Sequence, residues 1–206
     1  LTYMLLGDPE IDIFTNSTRS ITKFFNDTLY EGSSLRYVVK DEYGNPVVDP
    51  VVTIWDDDGR YAVFRGDKTG IINIKLPLGQ RTLNYSVYGH NVVFKNGSFS
   101  TILDHEKPTI GQYQKTPDEP KIDDTVKISI DSKDSKSGIA NVYLILTNTE
   151  SNYTSFNYFP MELVMLDKDD YSYSLSYLKP NDYLFSFVAF DNADNYIFGF
   201  FGSESG

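Results

Sequence analysis

Residues Leu178 to Asn195 place a turn, a strand and an Asx-rich turn in one unbroken run, Leu-Lys-Pro-Asn-Asp-Tyr-Leu-Phe-Ser-Phe-Val-Ala-Phe-Asp-Asn-Ala-Asp-Asn. Alternation of period two, closed at both ends by Pro, Asn and Asp, demands a pleated strand, because those end residues set or tolerate backbone angles that a continuing strand does not use. The run is that of a β-sandwich of extracellular type, a scaffold that more often positions, spaces or adheres than catalyses. Helical periodicity is hard to find anywhere in the chain.

The same rhythm recurs on both sides of one break. Predicted strands in the first half are Leu35 to Val39, Val51 to Trp55, Tyr61 to Phe64, Ile71 to Leu76, Thr82 to Tyr88, Val92 to Phe94 and Phe99 to Ile102. The segments between them carry turn chemistry, notably Asp41 to Pro46, Asp56-Asp57-Asp58-Gly59 and Pro77 to Gln80. Thr18 to Tyr30, with apolar Ile21, Phe24, Phe25 and Leu29, fits a strand or an irregular segment. Asp104-His105-Glu106-Lys107-Pro108 interrupts the pattern with charge and a proline, which sets a domain boundary between residues 1–103 and 104–206. The second half restarts at Pro108 to Tyr113 and crosses a polar stretch from Lys115 to Asp124. It continues through Thr125 to Ile130, a turn at Asp131 to Gly138, then Ile139 to Leu146, Phe156 to Met165, Tyr171 to Leu175, Tyr183 to Phe190 and Tyr196 to Phe201. That makes about seven strands, the number a small sandwich needs. The expected fold is all-β, two tandem antiparallel β-sandwiches of about 100 residues each.

Composition narrows the function. Aromatic residues make up 15% of the chain, with 16 Tyr and 14 Phe, enough to fill two pleated cores. A net charge of −11 repels a phosphate backbone and argues against nucleic acid as a partner. Without cysteine there is no disulfide, thiolate nucleophile or thiolate zinc site. His90, beside Gly89, and His105, in the interdomain segment, are the only histidines, and neither lies in a nucleophile motif. Paired-carboxylate glycosidase chemistry is disfavoured in sandwiches this small. The chain is therefore expected not to be an enzyme. No run of about 20 apolar residues offers a membrane span. The opening Leu1-Thr2-Tyr3 reads as a cut from a longer protein, with any leader or anchor expected outside it.

Three stretches carry resemblances. Val38-Val39-Lys40-Asp41-Glu42-Tyr43-Gly44-Asn45-Pro46-Val47, then Gly66-Asp67-Lys68-Thr69-Gly70, Leu76-Pro77-Leu78-Gly79 and Tyr85-Ser86-Val87-Tyr88-Gly89 resemble bacterial Ig-like and carboxypeptidase-regulatory-like repeats, which are stalk or accessory modules. Ser137-Gly138-Ile139 and Ala189-Phe190-Asp191-Asn192-Ala193-Asp194-Asn195 are similar to Ig-like and fibronectin type III repeats of prokaryotic surface proteins. There, Leu178, Pro180 and Tyr183 match the turn before the penultimate strand, which implies a structural tyrosine-corner role for Tyr183. Tyr3-Met4-Leu5-Leu6-Gly7-Asp8-Pro9-Glu10, followed by Ile11-Asp12-Ile13, resembles the closing segment of gingipain-type cysteine peptidases, where a caspase-like domain runs into an Ig-like one. That resemblance implies a secreted peptidase as parent and transfers no catalytic residue. The same Gly-Asp-Pro also reads as a plain turn.

Ig-type topology gathers several carboxylates at the end of the second sandwich expected to face the first. They are Asp104 and Glu106 of the linker, Asp131 and Asp134 of the next loop, and Asp191 and Asp194, with Asn192 and Asn195, of the last. Such a set can chelate Ca2+, which takes six to eight oxygen ligands and rigidifies linkers between cadherin-like repeats. Equally, Asp and Asn stand in these loops simply to make turns. Asp56-Asp57-Asp58 poses the same choice, and Arg65-Gly66-Asp67 spells an integrin-recognition tripeptide that also fits a turn. Asn16, Asn26, Asn84, Asn96 and Asn152 each head an Asn-X-Ser/Thr glycosylation sequon. Tyr153, Phe156, Tyr158 and Phe159 could stack on sugars or belong to a core face. The expected role is a non-catalytic accessory or spacer region of a larger secreted or cell-surface protein, contacting neighbouring domains of its own polypeptide, other surface proteins or glycans. The competing reading is an adhesin or carbohydrate-binding module.

Overall fold

The computed structural model describes residues 17–22, 24–25, 28–121, 123–148, 156–160, 162–165, 170–176 and 183–204. The gingipain-like opening, Leu178, Pro180, Tyr153, Asn16, Asn26 and Asn152 lie outside them. The described residues form β-structure without an α-helix, as the alternation predicts. The chain divides into two compact units, Leu1–Leu103 and Asp104–Gly206.

Nine strands occur among the described residues of unit 1: β1 (Arg19–Ser20), β2 (Thr28–Tyr30), β3 (Ser34–Val38), β4 (Val51–Trp55), β5 (Tyr61–Arg65), β6 (Ile71–Lys75), β7 (Arg81–Tyr88), β8 (Val92–Val93) and β9 (Lys95–Ile102). A five-stranded sheet, β2-β9-β7-β4-β5, and a two-stranded sheet, β3-β6, contribute to one core. Alternation decides which residues enter it. In β7, Leu83, Tyr85 and Val87 are buried while Thr82, Asn84 and Ser86 face outward. Phe24 and Phe25 are both buried and join Tyr37, Tyr85 and Phe99 in a cluster with ring centroids 4.5 to 6.2 Å apart. Two consecutive inward side chains break period two, so the ambiguous Thr18 to Tyr30 segment resolves into two short strands around an aromatic plug.

Those two strands also depart from the antiparallel expectation. β1 pairs parallel to β8, Arg19 opposite Val92, and β2 pairs parallel to β9, with Thr28, Leu29 and Tyr30 opposite Ser100, Thr101 and Ile102.

Unit 2 contains β10 (Thr109–Thr116), β11 (Val126–Lys133), β12 (Ile139–Asn148), β13 (Phe156–Pro160), β14 (Glu162–Met165), β15 (Asp170–Leu175), β16 (Tyr183–Asp191) and β17 (Tyr196–Glu204). Two four-stranded antiparallel sheets, β10-β11-β15-β14 and β13-β12-β16-β17, enclose a core of Val126, Ile128, Ile130, Val142, Leu144, Leu146, Phe185 and Phe187 among others. Tyr183, at the start of β16, packs partly buried against it.

Two expectations need correction here. Phe156 to Met165 reads as one strand but is two, β13 on β12 and β14 on β15 in the opposite sheet. Pro160 has no N–H to continue the first ladder, so the chain changes sheets there. Asp131 was expected in a turn, yet it lies within β11 opposite Asp170. β11 continues past Ile130 in its pairing with β10, where Ser132, 1% exposed, takes the inward position opposite Ile110 and donates to the Thr109 carbonyl at 3.0 Å.

Candidate functional site

The turns of both units are closed by one local device. Asp41 Oδ1 accepts the amides of Tyr43 and Asn45, both at 2.9 Å, while the Asp41 amide donates to the Asn45 carbonyl at 2.9 Å. Asp67 does the same with the amides of Thr69 (2.8 Å) and Ile71 (3.1 Å), and Asp191 with those of Ala193 and Asn195 (both 2.8 Å). Asp134 holds the amides of Lys136 (3.0 Å) and Gly138 (2.8 Å), and Asp56 that of Arg60 (2.9 Å). The sharp bend three residues after Asp41, Asp56 and Asp67 uses the left-handed region at Gly44, Gly59 and Gly70, with φ of 84°, 78° and 78°. Asp194 holds the equivalent place after Asp191 at φ 66°, a conformation Asp tolerates better than most residues. Such turns are what aspartate's short acceptor does well.

In unit 2 three of these carboxylates converge. One ligand oxygen each of Asp104, Asp134 and Asp191 lies within 4.8 Å of the other two. Asp104 and Asp191 are 2% and 1% exposed. Asn195 Nδ2 fixes two of them by donating to Asp191 Oδ2 at 2.8 Å and to the Asp104 carbonyl at 2.9 Å. The Ser137 amide donates to Asp104 Oδ2 at 3.0 Å, and its own buried Oγ has no hydrogen-bond partner. Asn192 Nδ2 donates to the carbonyls of Ser137 and Gly138, each at 3.0 Å, anchoring the entry to β12. Both asparagines thus brace the cluster through their Nδ2 donors. Burial raises the Asp191 pKa; the bonds from Asn195 and Ala193 offset it in part, and the Asp104 charge adds to it.

Three other expected ligands stand elsewhere. Glu106 pairs with Lys136 Nζ at 2.6 Å, and Asp194 is exposed. The Asp131 carboxylate covers Gly111, where an added Cβ would collide with it. Hard oxygen donors spaced by 4.8 Å or less suit an ion that binds oxygen at roughly 2.3–2.6 Å, so Asp104, Asp134 and Asp191 could share one Ca2+, with water completing the shell.

In unit 1 the charges are used otherwise. Asp41 is desolvated, yet its bonds from Asn45 and Tyr43, with Arg19 nearby, outweigh burial and lower its pKa. Asp67 is lowered chiefly by the Thr69 hydroxyl, against a desolvation effect of opposite sign. The Asp67 of Arg65-Gly66-Asp67 is therefore bound into its own turn. Asp56 Oδ2 meets Arg81 at 3.1 Å, whereas Asp58 stays exposed. His90 and His105 are both exposed. The sequon residues Asn84 and Asn96 lie on adjacent strands, Asn84 opposite Ser98 and Asn96 opposite Ser86, on the outward face of the five-stranded sheet.

The outer face of β12, β16 and β17 carries a feature the sequence reading did not isolate. Tyr143, Ile145, Val188, Phe190, Tyr196 and Phe198 line an open groove of about 420 Å3, with Tyr196 56% and Phe198 44% exposed. Lys107 Nζ sits 5.9 Å from the Tyr196 ring centroid. The sugar-stacking expectation names Tyr153, Phe156, Tyr158 and Phe159; Tyr153 lies outside the described residues, and Tyr158 pairs with Ile145 in the same sheet. The signal for it in the sequence is the aromatic pair Tyr196 and Phe198 at alternate positions of β17, both exposed.

No family model and no curated protein matches the sequence. Among solved structures the chain is similar to a tetra-tandem repeat from the extending region of a large adhesion protein, at 17% identity and a TM-score of 0.39. That match covers 92% of this chain and 48% of the other, so the chain spans about half its length. It is also similar to fibronectin(III)-like modules of CbhA from Clostridium thermocellum (14% identity, TM-score 0.30, 86% and 85% covered). A third is the Escherichia coli adhesin FdeC (12% identity, TM-score 0.30, 92% and 65% covered).

Proposed function

We propose that this chain is a non-catalytic accessory region of a larger secreted or cell-surface protein, in which two β-sandwiches position neighbouring domains of the same polypeptide. The observation that carries this reading is the recurrent aspartate staple. Asp41, Asp56, Asp67, Asp134 and Asp191 give carboxylate oxygens to main-chain amides of their own turns, so groups that acid–base chemistry would need to face a substrate fix backbone shape instead. A Ca2+ ion on Asp104, Asp134 and Asp191 would serve the same end by tying three separate loops of unit 2 together. The Tyr3 to Glu10 resemblance supports a secreted peptidase as the neighbour.

The test exchanges residues 1–206 within the parent protein for an unrelated tandem pair of sandwiches of equal length. Secretion and activity of the neighbouring domain should survive the exchange; their loss would show that this surface makes a specific contact. The aromatic groove of β12, β16 and β17 favours a second reading, an adhesin or carbohydrate-binding module. Saturable binding on a glycan array, abolished by Tyr196→Ala, would replace the spacer reading.

A further inference from the structure

We infer that unit 1 is built to carry tension along the chain, with β2 and β9 as its clamp. β2 is the first strand of the five-stranded sheet and β9 the last of the unit, and they are direct, parallel neighbours. In a parallel pair the chain enters at the start of one strand and leaves at the end of the other, on opposite sides of the ladder. A pull on both ends therefore slides the strands past each other and loads every bond at once. An antiparallel pair pulled from the ends that lie together opens one bond at a time.

The register defines the loaded bonds. In a parallel ladder a residue bonds to the two neighbours of its partner, so Leu29, opposite Thr101, bridges Ser100 and Ile102. The Glu31 amide extends the ladder to the Ile102 carbonyl at 3.0 Å. The far end is fastened to one turn from both sides. The Glu31 carboxylate accepts the Gly79 amide, while the fully buried Thr101 hydroxyl donates to the Gly79 carbonyl at 2.7 Å and accepts the Arg81 amide at 3.1 Å. Slippage of either strand must break these as well. Unit 2 has no equivalent among its described residues: β10 lies in one sheet on β11 and β17 in the other on β16, both antiparallel.

Tension reaches unit 1 only when both its ends are attached to something, so the biological use rests on the positioning role proposed above. The directional strength is a property of unit 1 itself and is tested separately. Because the chain has no cysteine, a pair of introduced cysteines defines the pulling direction without side reactions. In the full chain, Thr28→Cys with Leu103→Cys loads the β2–β9 ladder lengthwise. Thr28→Cys with Asp57→Cys pulls across the sheet, since Thr28 lies level with Ser100 and Thr82, and Asp57 follows Trp55, which pairs with Asn84. All three positions are exposed, and equal melting temperatures of the two variants will establish that the same fold is being pulled. Single-molecule rupture force should be about threefold higher lengthwise than across, because three ladder bonds share the load instead of failing in turn. Equal forces in the two directions would overturn the inference and leave the positioning role untouched.

Discussion

Asp191→Asn sets two sizeable effects against each other at one carboxylate. Asn retains an oxygen for the Ala193 and Asn195 amides but presents an NH2 where Asp191 Oδ2 accepts Asn195 Nδ2 at 2.8 Å. Losing one bond to a charged acceptor costs about 2 kcal/mol. Against this, the substitution removes the repulsion between Asp191 and Asp104, whose oxygens lie within 4.8 Å. It also removes the cost of burying the Asp191 charge, the larger cause of its raised pKa, and the two together are worth about 3 kcal/mol. In EDTA at pH 7 the variant should therefore be more stable by about 1 kcal/mol, which raises the melting temperature of a unit this size by about 4–8 °C. Far-UV circular dichroism reports both units, whereas fluorescence of Trp55, the single tryptophan, reports unit 1. The component seen only by dichroism isolates unit 2. A melting temperature at or below wild type would refute the electrostatic reasoning. Mild acid should act in the same direction. The raised pKa means that the folded state holds its proton at pH values where the unfolded state has lost it, so unit 2 gains stability as pH falls from neutral through that raised range.

Calcium should reverse the balance: at millimolar concentration it raises the wild-type melting temperature of unit 2, EDTA removes the gain, and Asp191→Asn abolishes it, while an unchanged melting temperature removes the ion from the picture. Unit 1 should respond to acid in the opposite sense. The lowered pKa values of Asp41 and Asp67 give stability that is fully present above the ordinary aspartate range, about pH 4, and lost below it, so the Trp55 transition should hold steady to about pH 4 and then fall. Gly97→Ala should cost unit 1 about 1–3 kcal/mol, seen as a lower denaturation midpoint, because strain of that order follows overpacking. The added Cβ would lie 2.5 Å from Tyr85 Oη and 2.6 Å from its ring carbons, in a buried aromatic cluster; a midpoint unchanged from wild type would contradict the packing described.

What the sequence revealed depended on whether the deciding interaction was local. Thr82 to Tyr88 and Val126 to Ile130 were legible because inward and outward side chains alternate in hydrophobicity, Val51 to Trp55 and Tyr183 onward because they are short runs of β-branched and aromatic residues bounded by turns, and the Asp-Gly hairpin because its residues settle its geometry. Asp131 was misplaced because apolar alternation stops at Ile130, while the ladder runs on through a buried, hydrogen-bonded Ser132 that looks like a loop residue. The change of sheet at Pro160 lay hidden inside a stretch of uniform strand propensity. The parallel pairing of β1 and β2 depends on partners distant in the chain, about which neighbouring residues say nothing. At the carboxylate cluster, sequence placed Asp104, Asp134 and Asp191 at one end of unit 2, but the separation of ligands from bystanders depended on side-chain direction. Glu106 turns to Lys136 and Asp131 covers Gly111, and neither choice is written in residue type.

The pairing of β2 with β9, the earliest and latest strands of the five-stranded sheet, also dictates an order of assembly. The aspartate staples join residues two to four apart and can close as soon as each turn exists, whereas Thr28 must wait for Ser100. A chain that emerges from a ribosome or an export channel amino end first would carry closed turns and an open sheet until Ile102 is free. The hairpins of β4, β5 and β7 can pair before then, but β2 has no ladder until the last strand of the unit is free.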